Sequence, residues 1–132
     1  MSEEGLPCKA LLVEDEVLVA MIAEDLLQAI GFVPIHAPDA ASALAALAAG
    51  GFSLAVIDVG LPDMRGDVLA RRVRGIAPDM PIVLASGYDA GELKQRFSHD
   101  EAVTVLGKPY TEHDLKTAIA SMGVPVGKAG GP

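Results

Sequence analysis

The sequence has no tryptophan, a single cysteine, three phenylalanines and two tyrosines, so aromatic side chains are only 4% of its 132 residues. With Cys8 alone, neither an intramolecular disulfide nor a multi-cysteine zinc site can form, and no basic-then-apolar leader precedes it, which fits a reducing cytoplasm. Basic side chains are also scarce. Ten Lys and Arg face eighteen Asp and Glu, giving a net charge of −8 and a pI near 4.7. The whole-molecule field therefore repels phosphate backbones, and direct binding of DNA or RNA is not expected. No membrane-spanning run is present either: Ala40 to Ile57 carries no charge, but it is mostly alanine, is interrupted by Gly50 and Gly51, and falls short of about 20 strongly apolar residues.

What is present is a core. Apolar residues make up 51% of the chain and the mean hydropathy is +0.38, so a packed domain is expected and disorder is confined to the ends. The length fits one domain, over 9–122, with an N-terminal extension over 1–8 and a frayed tail over 123–132.

Short apolar runs at Ala10–Val13, Leu54–Ile57 and Ile82–Ala85 each stop at a polar tip, namely Glu14-Asp15-Glu16, Asp58 and Ser86-Gly87. They read as buried strands. Phe32–His36 and Val103–Leu106 complete a set of five, each lying between helical stretches. The first helix is predicted over Val17–Ile30, with Val19, Ile22, Ala23, Leu26 and Ile30 facing inward and Gly31 as its stop. A second runs from the N-cap Asp39 to Gly50, and a third from Gly66 to Arg74, both stopping at glycine. The fourth, Ala90–Phe97, has only Leu93 and Phe97 as large apolar anchors and is expected to be the least stable. The fifth opens at Thr111 with Asp114 as a capping-box partner and buries Leu115, Ile119 and Met122.

Strands alternating with helices require a parallel sheet covered on both faces, a doubly wound α/β sandwich. In such sheets ligands bind at the carboxyl ends of the strands, near the point where strand order reverses. Those ends carry Glu14 and Asp15, then Asp58, then Ser86, then Lys108. Carboxylates within about 4 Å repel by roughly 4 kcal/mol per pair at an effective dielectric of 20, so folding alone does not favour the cluster. A hard cation resolves it: magnesium takes oxygen ligands, keeps several waters, and bridges one or two carboxylates to a phosphate oxygen. Lys108 and Ser86 suit the phosphate itself, as a point charge and a hydroxyl donor. Asp63, Asp67 and Asp79 read as turn and helix-start residues without chemistry. Arg71, Arg72 and Arg74 read as a solvated basic face.

Val13-Glu14-Asp15, the run Ile57 to Gly66, Ala85-Ser86-Gly87 and Lys108-Pro109-Tyr110, in this order and at the spacing of successive βα units, resemble the CheY-like receiver domain of two-component response regulators. The resemblance covers Lys9 to Met122 and implies a flavodoxin-like five-stranded parallel sheet of order 2-1-3-4-5. It implies that Asp58 is the phosphoacceptor, that Asp15, Asp58 and the Gly60 carbonyl hold one magnesium ion with Glu14 acting through water, and that Ser86 and Lys108 hold the phosphoryl oxygens. It further implies a cis Lys108-Pro109 bond, a cytoplasmic phosphorelay protein, and a domain that catalyses only its own phosphorylation and dephosphorylation rather than a conventional enzyme. Val105 stands where receivers often carry a switch aromatic. The stretch Pro81 to Tyr88 instead resembles, in part, the receiver subgroup nicknamed FATGUY, and makes Tyr88 the candidate replacement switch.

The apolar run Val17 to Ala23 exceeds what one buried stripe can hide, so Val17, Leu18 and Met21 should be exposed. With Tyr110 they resemble the face on which receivers dock a histidine kinase or phosphotransfer protein. A monomer or weak dimer is expected. No DNA-binding module follows Met122, so output is expected through an unknown downstream protein, or the domain drains phosphoryl groups as a sink. An aspartyl phosphohydrolase of the haloacid-dehalogenase type fits less well, because Gly60 stands where that class has its second Asp. A flavin module fits less well because Glu14-Asp15-Glu16 would repel the cofactor's phosphate. A degenerate receiver is disfavoured because every acceptor-site position is filled.

Overall fold

The computed structural model describes residues 8–87 and 90–124. Strands and helices alternate along the chain: β1 (Cys8–Val13), α1 (Val17–Ile30), β2 (Phe32–Ala37), α2 (Ala40–Ala49), β3 (Phe52–Asp58), α3 (Gly66–Ile76), β4 (Ile82–Ser86), α4 (Ala90–Arg96), β5 (Val103–Gly107) and α5 (Glu112–Ser121). The strands form one sheet in the order β2-β1-β3-β4-β5, and every pairing is parallel. This is the doubly wound architecture expected.

Successive residues of each central strand serve opposite cores. Leu11 and Val13 pack with Ile57, Leu84 and the inward faces of α2, α3 and α4, whereas Ala10 and Leu12 pack with Val56, Val83 and those of α1 and α5. Burial on both faces explains why these strands are continuous apolar runs instead of alternating ones. Each fully buried Leu or Ile contributes about 1.5–3 kcal/mol relative to exposure.

The expected caps of α2 and α5 are present. Asp39 Oδ1 accepts from the Ser42 amide at 2.8 Å, and Thr111 Oγ1 accepts from the Asp114 amide at 3.0 Å. The Ser42 hydroxyl and amide donate to the Asp39 carboxylate, and the Thr111 amide donates to that of Asp114 at 3.0 Å, which holds both carboxyl groups below the ordinary aspartate value. A second acid, Asp63, accepts from the Ala40 and Ala41 amides at 2.9 and 3.0 Å, so it caps α2 from the β3–α3 loop instead of serving only as a turn former.

Four expectations are corrected. The inward face of α1 is Ala20, Ala23, Leu27 and Ile30, while Ile22 is 62% exposed and Val19 and Leu26 lie at the flank. Because every residue from Val17 to Ala23 is apolar, helical spacing could not select the stripe; close packing of small alanines on the sheet does. Helix α3 does not stop at glycine but continues through Gly75 to Ile76. Arg74 is not a solvated charge: Nη1 donates to the carbonyls of Ala77, Pro78 and Met80, Nη2 to Ala102, and Nε to Asp100 at 3.0 Å, satisfying the carbonyls beyond the helix end. Asp67, finally, is a buried charge, 2% exposed and paired with Arg65 at 2.9 Å and Arg96 at 2.8 Å. Burial without those partners would cost several kcal/mol, roughly.

Candidate functional site

The chain leaves β1 toward β2 on one side and returns to β3 on the other, so the strand order reverses between the carboxyl ends of β1 and β3. Val13 lies in register with Ile57, which sets Glu14 beside Asp58 one residue further on. Both carboxylates are buried, at 4% and 7% exposure, and Asp15 next to them is exposed. Glu14, Asp15 and Asp58 each offer a carboxylate oxygen, and these oxygens lie within 4.8 Å of one another.

Lys108 enters from the end of β5, two strands away. Its side chain can cross β4 because that strand ends in Ala85-Ser86 and is followed by Gly87, small residues that leave the way open. The ammonium donates to Asp58 Oδ1 and stands 3.5 Å from Glu14 Oε1. Its main-chain amide donates to the Ser86 carbonyl at 2.9 Å, and the peptide to Pro109 is cis, as expected. Asp58 Oδ2 accepts from the Gly60 amide at 3.0 Å, so the two oxygens of this carboxylate have separate partners. Ser86 ends β4 with 3% exposure, one residue beyond the Ala85 that pairs with Asp58.

The electrostatics follow from this crowding. Burial pushes the Glu14 carboxyl above the ordinary glutamate range, and the Asp58 charge adds to the rise, while the Glu16 amide and Lys108 pull the other way. Burial would lower the Lys108 pKa, but the hydrogen bond and charge of Asp58, joined by Glu14, more than offset it and leave it raised. Burial likewise raises Tyr110, which sits beside Lys108. An oxygen-only donor set of three carboxylates, with Asp15 engaged by no hydrogen bond or ion pair among the described residues, fits a hard divalent cation such as magnesium.

The sequence-predicted residues Glu14, Asp15, Asp58, Gly60, Ser86 and Lys108 thus share one edge of the sheet. Val105 is 6% exposed within the core that faces α4, and Tyr88 lies outside the described residues. Val17, Leu18 and Met21 are 66%, 74% and 54% exposed, and Tyr110 joins Val19, Ile22 and Leu26 around a mostly apolar cleft of about 370 Å³ that also reaches Lys108.

Two contributors to the site take on their roles only in the structure, His36 without any signal in the sequence and Gly66 with one only as a helix start and motif residue. His36 contacts the acidic loop through its ring, across 22 residues of chain. Gly66 is pressed against the main chain of Asp58, since a Cβ there would lie 2.2 Å from the Asp58 carbonyl oxygen and 2.7 Å from Val59 Cα. Its amide donates to the Val59 carbonyl at 2.8 Å, so only glycine lets α3 begin directly on the strand end.

Comparison with known proteins places this geometry. The model of the response regulator receiver domain family matches residues 10–120. The chain is 32% identical over 114 residues to the response regulator receiver protein CpdR of Brucella abortus, covering 86% of this chain and 95% of that protein. It is also 32% identical to the sensor kinase CckA of the same organism, but spans only 12% of that protein's length. Among solved structures, a response regulator receiver protein from Sinorhizobium medicae superposes with a TM-score of 0.79 at 30% identity, covering 89% of this chain and 94% of the other. The chemotaxis protein CheY4 of Vibrio cholerae gives 0.79 at 25% identity, covering 88% and 98%.

Proposed function

Since the chain belongs to the response regulator receiver family of two-component systems, we propose that it accepts a phosphoryl group on Asp58 from the phosphohistidine of a sensor histidine kinase or a phosphotransfer protein. One observation carries this reading: the Asp58 carboxylate, 7% exposed, is held between the Lys108 ammonium and the Gly60 amide with two further carboxylates beside it. A lone acid needs no such surroundings. A nucleophile that must meet a phosphoryl group does, because this chemistry depends on positioning and on neutralising charge on the transferring group.

An Asp58 oxygen forms the bond to phosphorus as the donor's nitrogen–phosphorus bond breaks, and the imidazole leaves with the electron pair. Lys108 shifts from the bare carboxylate toward the new phosphoryl oxygens, and Ser86 donates its hydroxyl to another. Magnesium would be held by Asp15, Asp58 and the Gly60 carbonyl, with Glu14 acting through water, and would supply further neutralisation of the incoming charge. The reaction ends on the protein's own side chain, so the domain turns over no separate substrate beyond its own phosphorylation and dephosphorylation.

The exposed residues Val17, Leu18 and Met21, continued by the cleft beside Tyr110, supply the apolar surface for the donor, next to the acceptor they must serve. A cytoplasmic location follows from such a donor, and none of the helices among the described residues is long and apolar enough to cross a membrane. Output passes through contacts with a further protein, or the domain drains phosphoryl groups from the relay.

Incubation with acetyl phosphate or a phosphorylated kinase tests the reading. A label that is released by hydroxylamine, lost with EDTA and absent in Asp58→Asn is expected. Undiminished labelling of Asp58→Asn, or a hydroxylamine-resistant label, would overturn it.

A further inference from the structure

The three residues between β1 and α1 are Glu14, Asp15 and Glu16, all acids. Their mutual repulsion favours spreading apart, yet α1 offers little restraint, since its N-cap Glu16 makes no side-chain cap bond and Val17 and Leu18 stand in solvent. The ties come from elsewhere. The Glu14 amide donates to the Ala37 carbonyl at 3.1 Å, and the Glu14 carbonyl lies 2.6 Å from Nε2 of His36. A carbonyl oxygen only accepts, so Nε2 carries the proton and donates.

We propose that His36 is a positioning residue for the divalent-cation site: by holding the Glu14 carbonyl it fixes the peptide that joins Glu14 to Asp15, and with it the aim of the Asp15 carboxylate. The inference rests on the metal site proposed above. The Glu14 carbonyl and the Asp15 amide belong to one planar unit, so a bond to the first orients the second. No ladder bond can do this, because the β1–β2 pairing ends at Val13 and Ala37. A side-chain donor is needed, and its register places it: His36 pairs with Leu12, whose side chain packs on the α1 side of the sheet, where the loop turns into that helix. Asp15 has no hydrogen bond or ion pair of its own among the described residues, so its orientation depends on the main chain that carries it.

Groups that orient metal ligands from behind typically alter metal affinity by roughly 10–100-fold when removed. Magnesium binding is to be measured by calorimetry on the wild type and on His36→Phe, His36→Asn, His36→Gln and Asp15→Asn, with metal-free melting recorded for each. The Gln amide can reach the Glu14 carbonyl and the shorter Asn amide cannot. Gln is therefore expected to keep wild-type affinity within about twofold, while Asn and Phe lose roughly tenfold. Affinity that stays at the wild-type level in Asn and Phe, with Asp15→Asn still losing it, overturns the positioning role alone, including the case in which those variants merely melt earlier. A wild type that binds no magnesium overturns the metal site and this inference together.

Discussion

Glu14 is the residue in which fold and function oppose each other most directly. Its carboxyl is 4% exposed and its pKa is raised by burial and by Asp58, so in the metal-free protein the ionised form opposes folding. Because the folded-state pKa lies above the ordinary value of 4.5, the contribution to stability is fully present below that pH and is lost as pH rises through the folded pKa. The capping acids Asp39 and Asp114 have the opposite sign, and their contribution is lost only as pH falls below the ordinary aspartate value of 3.8. The window just above 4.5 therefore belongs to Glu14. Glu14→Gln keeps an oxygen for the Glu16 amide while removing the charge. Metal-free Glu14→Gln should melt about 2–5 °C higher than the wild type at pH 7, with the gap closing as pH falls toward the glutamate range. A variant that melts lower at neutral pH would show that Glu14 stabilises the fold through Lys108 more than its burial costs.

At the scale of elements, the sheet's amino-terminal end is held by a different kind of contact from the site end. α4 is the shortest helix described, with seven residues and only Leu93 buried, and Arg96 ties its last turn to Asp67. The loop that follows it is anchored by Arg74, whose guanidinium joins the end of α3 to the carbonyl of Ala102 and the carboxylate of Asp100. A planar fork with five donors can serve four carbonyls and a carboxylate at once; an ammonium cannot. Arg74→Lys should thus cost about 1–3 kcal/mol, read as a lower denaturation midpoint, with faster amide exchange in the segment from Phe97 to Val103. Exchange that is unchanged there, with stability intact, would mean that packing alone holds the loop. Asp58 labelling should persist in this variant, since Arg74 lies at the opposite end of the strands from the site.

For the whole molecule, a net charge of −8 and three clustered carboxylates make the metal-free state sensitive to any cation, and the question is which cation acts at a site. Screening by salt acts on all exposed charges, whereas a bound divalent ion stabilises by mass action on the folded state alone. At 100 times its dissociation constant, magnesium should add about 2.7 kcal/mol, a rise in melting temperature of about 10 °C for a domain of this size. Sodium chloride at equal ionic strength should produce a much smaller rise, and Asp15→Asn should lose most of the magnesium increment. Equal effects of the two salts would mean that the acidic edge is only screened.

The order of elements, the polar tips, the N-cap Asp39 and the capping box of α5 were legible in the sequence because each depends on neighbours a few residues apart: a strand ends where its apolar run meets Glu14, Asp58 or Ser86, and a capping box needs only Thr111 with Asp114. The candidate site was legible for a related reason, since parallel βα units bring every strand's carboxyl end to one edge whatever lies between. The tertiary structure alone decided the inward stripe of α1, where an apolar run left several faces equivalent until the sheet selected Ala20 and Ala23. It also decided the partners of Asp67, Arg74 and His36, which lie 22 to 29 residues away for the contacts that matter most. Local spacing constrains a side chain only within its own turn or strand. Which distant group satisfies a buried charge or an unpaired carbonyl is settled when the layers close and water is removed, because only then does an unmet polar group become costly.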